Sequence, residues 1–105
     1  MSQTQISGIQ YFVIIAEQSK KQKFLTLLSE YGAHAVEVVY GRGSTCPSTI
    51  AEAFGFEIKN KKVIITCLLK NEKAKELMHV LYKKYKFEKP NTGFAFSITL
   101  EGLAF

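Results

Sequence analysis

Gly41 and Gly43 bracket the only arginine of the chain, directly after the β-branched run that ends at Tyr40. A strand, a glycine turn and a helix start are the parts from which proteins build anion cradles, because free N–H groups and a positive helix end converge there. The two glycines allow positive φ. Arg42 supplies one guanidinium fork suited to a phosphate or carboxylate, and Ser44 and Thr45 complete this group of candidate ligand contacts. Thr49 and Glu52 have capping-box spacing and Pro47 suits a first helical position, so the spacing predicts a short helix from Pro47 to Phe54, stopped by Gly55. The same parts would also serve as a plain tight connection. Neither GxGxxG nor GK[ST] is present, which excludes a dinucleotide or P-loop fingerprint.

A second loop, Glu88 to Gly93, reads EKPNTG, with Lys86 just before it and Lys89 at its start. These lysines are either phosphate partners or solvated charges at a helix end. His34 and His79 stand apart from each other and from other ligand types, so no metal site is expected. No nucleophile, base and orienting group fall together, and no carboxylate pair lies near either loop; the sequence offers no catalytic residue and reads as a non-enzyme. Cys46 and Cys67 lack CxxC spacing. Cys67 sits in an apolar run and behaves as a small hydrophobe, and the pair points to a reducing compartment.

The 105 residues fit one domain, with 47% apolar residues for a core and a net charge of +5 carried by lysine rather than arginine. Arginine forks dominate nucleic-acid recognition, so this balance argues against a nucleic-acid partner. No apolar run approaches the roughly 20 residues of a spanning helix, and the start MSQTQISGIQ has no signal-peptide pattern. A cytoplasmic protein is expected.

The elements that must position the two loops follow from periodicity. IQYFVIIA (9–16) and KKVIITCLL (61–69) are apolar without alternation, as strands covered on both faces are. HAVEVVY (34–40) alternates, and residues 1–8 are polar and read as frayed. Ser19 is expected to cap a helix through residues 20–31 that Gly32 stops. Asn71 is expected to cap a second helix, with Ala74, Leu77, Met78, Leu81 and Tyr85 as its apolar stripe. FAFSITLEGLAF begins as a strand and ends as an apolar tail.

The resulting order, β-α-β-β-α-β, is that of an α+β ferredoxin-like sandwich with an antiparallel sheet and helices on one face. Strands one and three belong at its centre. Grouping by residue number sets Phe12, Ile14, Ile64 and Thr66 against Val13, Ile15, Val63, Ile65 and Cys67, so neither face is polar. Another subunit is the expected cover, with Ile14 and Ile65 on different sides of the sheet. The RNA-recognition motif shares this topology but needs aromatics on its third strand, where KVIITCLL has none.

HAVEVVYGRGST, then KVIITCLLKNEKAKELMHVLYKKY, then TGFAFSITLE resembles the PII-like nitrogen-regulatory signalling proteins over almost the whole chain. The resemblance implies a homotrimer that senses an adenine nucleotide (AMP, ADP or ATP) at a cleft between subunits. It also implies control of a transporter or metabolic enzyme through a long loop. It maps residues 41–62 onto the family's T-loop and residues 88–93 onto its B-loop, with Gly41, Arg42, Gly43, Ser44, Thr45, Lys89, Asn91, Thr92 and Gly93 as the ligand-binding set. In the typical B-loop, GDGKIF carries a phosphate-gripping lysine; here NTGFAF puts Phe94 in its place. The arginines that follow the last strand in the family are replaced by EGLAF, and Ile50 falls where some members carry a modified tyrosine. A CutA-like trimer without nucleotide, acting as an interaction protein, is the alternative; the GRG turn and long loop fit it less well.

Overall fold

The two strands without polar alternation occupy the two central positions of a four-stranded antiparallel sheet. In the computed structural model, which describes residues 3–5, 8–41, 61–89 and 92–104, the strands are β1 (Gln3–Gln5), β2 (Ile9–Glu17), β3 (His34–Gly41), β4 (Lys62–Lys70), β5 (Phe94–Thr99) and β6 (Gly102–Ala104). Helices α1 (Lys21–Glu30) and α2 (Asn71–Lys83) follow β2 and β4. The large sheet runs β3-β4-β2-β5, and β1 pairs with β6 in a separate two-stranded ribbon. The expected helix at 47–54 lies outside the described residues.

Register decides which side chains share a face. Ile14 stands opposite Ile65 and Ala95, while Ile15 stands opposite Ile64 and Phe94. Phe12, Ile14, Ala16, Val63, Ile65, Cys67 and Leu69 therefore face the helices, where Phe24, Leu27 and Leu28 of α1 and Ala74, Leu77 and Leu81 of α2 bury them. This corrects the grouping by residue number: in an antiparallel pair, odd residues of one strand can oppose even residues of the other. Ile14 and Ile65 are partners in one core, both fully buried.

The opposite face is largely apolar too. One row crosses all four strands as Val39, Ile64, Ile15 and Phe94, and the next as Glu37, Thr66, Val13 and Phe96. Val13 and Ile15 are buried, whereas Val39 and Ile98 at the two edges are each 51% exposed.

Three expectations about element ends change. Ser19 does not cap α1; it lies in a 3-10 turn, Gln18–Lys20, and no side chain caps the helix. The Gln18 N–H donates to the Lys61 carbonyl (3.1 Å) and its side-chain amide to the Lys62 carbonyl (3.3 Å), so winding starts against β4, before Ser19. Asn71 is the first residue of α2, not its cap. Its N–H donates to Gly8 (2.8 Å), and its Oδ1 accepts from Gln10, whose amide also reaches Thr99. Residues 3–5, read as frayed, form β1, which is held by backbone pairing of a kind that polar side chains neither signal nor oppose. Gly32 does stop α1: at φ +74°, with Ala33 bonded back to Leu28 and Gly32 to Ser29, it completes a Schellman cap.

Candidate functional site

β3 delivers Gly41 to one end of the sheet because the chain there is paired through Val38, Val39 and Tyr40 with Ile65, Ile64 and Val63. Gly41 itself stands opposite Lys62, and Lys62 opposite Glu17. Lys62 is 4% exposed. Burial pushes its ammonium below the usual lysine range; the Glu17 carboxylate opposes that shift and Lys20 adds to it. Beside it, the Lys21 ammonium donates to the Tyr40 hydroxyl at 2.7 Å and lies over the same ring, 5.3 Å from its centre. The described base of the loop is thus built from Glu17, Lys20, Lys21, Tyr40, Gly41, Lys61 and Lys62. Only Gly41 of these was singled out by sequence reasoning, although the paired lysines at 20–21 and 61–62 are its visible sign.

The second loop reaches the same end of the sheet at the other edge. The last turn of α2 opens: the Tyr85 N–H reaches back to Val80 (3.2 Å), the Phe87 N–H reaches Leu81 (3.0 Å), and Lys86 takes φ +64°. That twist sends the Phe87 ring inward, edge-on to Phe24 at 5.6 Å. Gly93 passes so close to this ring that a Cβ there would overlap it. Phe94 opens β5 opposite Ile15, half-buried, with its ring 5.8 Å from Phe96. Lys89 is exposed, bonded through its N–H to the Lys86 carbonyl (2.9 Å), and Lys86 is exposed as well.

Of the predicted ligand set, the structure describes Gly41, Lys89, Thr92 and Gly93; Arg42, Gly43, Ser44, Thr45 and Asn91 lie outside the described residues. Gly41 and Gly93 share one end of the sheet but sit at opposite edges, three strand spacings or about 14 Å apart. A ligand touching both must span the ends of β4 and β2. Lys20, Lys21, Lys61 and Lys62 outnumber Glu17 at this end, a charge balance that favours an anion. Among the described residues no cluster of three or more metal-ligating side chains forms, and no described helix is long and apolar enough to cross a membrane.

No protein-family profile and no curated protein matches the sequence. Solved structures do match. A protein of Thermus thermophilus assigned as PII-like signalling superposes with a TM-score of 0.64 at 15% identity, over 98% of this chain and 91% of that one. CPII of Thiomonas intermedia, bound to ADP, AMP and acetate, gives 0.63 at 18% identity, over 98% and 90%. CPII described as a nitrogen regulatory PII-like protein, bound to ADP, AMP and bicarbonate, gives 0.58 at 16% identity, over 98% and 97%. Across nearly its whole length, this chain has the fold of the PII-like signalling proteins.

Proposed function

We propose that this chain is a PII-like regulator, a single-domain, non-enzymatic cytoplasmic protein. In this reading it assembles as a homotrimer and binds an adenine nucleotide at the end of the sheet where Gly41 and Gly93 lie. It acts on a protein partner, a transporter or metabolic enzyme, through residues 44–60. The observation that carries this reading is the shared fold with CPII, which is bound to ADP and AMP. The convergence of both candidate loops on one end of the sheet supports it, and the apolar open face supports the trimer. Ligand contacts at the loop base would select one arrangement of the arm, and the partner would read that arrangement.

Phe94 in place of a phosphate-gripping lysine removes a charge that a triphosphate needs more than a monophosphate does. AMP or ADP should therefore bind at least as well as ATP. A ligand at a hundred times its dissociation constant adds about 2.7 kcal/mol, which raises the melting temperature of a domain this size by several degrees. Thermal melts with each nucleotide test the reading, and Arg42→Ala should remove the shift while leaving assembly unchanged. If no adenine nucleotide moves the melting point at millimolar concentration, the glycine turn is a connection and the sensor reading fails.

A further inference from the structure

We propose that the hollow between α2 and the start of β5 binds a small organic anion with a flat apolar body, an aryl carboxylate in class. The hollow, about 560 Å³ and widely open to solvent, lies within the size range of small-molecule sites. Met78, Tyr82, Phe87 and Phe94 give it apolar and largely aromatic walls, with Lys75 and His79 at its polar edge.

The walls are held in place. Phe87 is wedged between the Gly93 backbone and the edge of Phe24, and Leu81 beneath is fully buried. Tyr82, by contrast, leaves 49% of its surface exposed; the Lys83 ammonium lies over its ring, 5.2 Å from the centre, which leaves one ring face for stacking.

Charge selects the ligand's sign. Lys75 and His79 are four residues apart and share one face of α2. Of the acidic side chains nearby, Glu76 is turned toward Lys73 (4.0 Å) and Glu88 toward Lys83 (3.9 Å), while Glu72, three residues before Lys75, shares its helix face. One ammonium and one imidazole at the rim of an apolar hollow suit a single carboxylate. A triphosphate would bring more charge than they can meet. Gly93 and Phe94 border both this hollow and the proposed nucleotide end of the sheet, whereas Lys75, His79 and Tyr82 of α2 line the hollow alone; the inference concerns a different ligand from the nucleotide.

The test is a titration of the ¹⁵N-labelled full chain with indole-3-acetate and, in parallel, its neutral analogue indole-3-acetamide. Amides of Lys75–Tyr82, which the nucleotide reading does not involve, should shift saturably, with the acid binding more tightly than the amide. Lys75→Gln should weaken the acid about three- to fivefold, the scale of one solvent-exposed ion pair, and narrow its advantage over the amide. Tyr82→Ala, at an exposed position that does not threaten the fold, should weaken both ligands. Equal affinity for acid and amide, absence of saturable shifts, or shifts confined to the Tyr11, Val39 and Ile98 face would overturn the proposal. A separate ADP titration keeps the two readings apart: loss of ADP binding alone leaves this site standing, and loss of indole-3-acetate binding alone leaves the nucleotide reading standing.

Discussion

Gly93 is glycine because Phe87 occupies the space a side chain would need. Gly93→Ala should therefore cost about 1–3 kcal/mol, the usual range for overpacking, measured by urea unfolding. In the background of Phe87→Leu the cost should shrink, since the smaller side chain frees the space. Equal costs in both backgrounds would show that the ring is not the obstacle. Cys67 makes a different prediction. It is buried, and desolvation pushes its thiol up to about 11 from 9.0. The folded state therefore holds the proton more tightly than the unfolded chain. The stability this contributes is complete below about pH 9 and is lost as pH rises toward 11. Cys67 should resist iodoacetamide in the native protein at pH 8 and react once the chain is unfolded, with labelling located by peptide mass spectrometry; fast native labelling would contradict the burial.

Among the elements, the long apolar runs were readable because nine-residue central strands that are apolar on both faces show no polar alternation. Their partners were not, because the facing of one strand against another is set by register, which no single strand encodes. That is why Ile14 and Ile65 read as lying on different sides of the sheet and instead meet in one core. Ser19 and Asn71 mislead for a related reason: each is a good cap in isolation, but a long-range backbone bond to Lys61 or Gly8 fixes where winding begins. The candidate site divides likewise. The glycine turn and Gly93 stand out by type, whereas Lys62, Lys21 and Tyr40 join the site only through pairing across strands.

For the whole molecule, the proposed trimer gives the two faces of the sheet different sensitivities. Ile65→Glu places a carboxylate in the helix-covered core and should cost more than about 3 kcal/mol, destroying the fold. Val39→Glu and Ile98→Glu alter positions 51% exposed in the single chain. They should leave secondary structure intact by circular dichroism while converting the trimer to smaller species in light scattering coupled to size exclusion. A wild-type chain that runs as a monomer at micromolar concentration would refute the assembly. Trimers that persist in both edge variants would show that the open face is not the interface.

The pairing of β2 with β5 sets how the molecule yields to force. Gln10 stands opposite Thr99, and Leu100 bonds to Ile9, so the chain enters β2 and leaves β5 at adjacent points. The β1–β6 ribbon continues the same arrangement, with Gln3 opposite Ala104. Tension applied to these two ends acts along the direction of the inter-strand hydrogen bonds and loads them one at a time. The protein should open like a zipper, at much lower force than a sheet whose terminal strands must slide past each other. Pulling by atomic-force microscopy would test this against attachment through cysteines introduced at Lys61 and Thr99, which lie at opposite ends of the sheet and load the strands in shear.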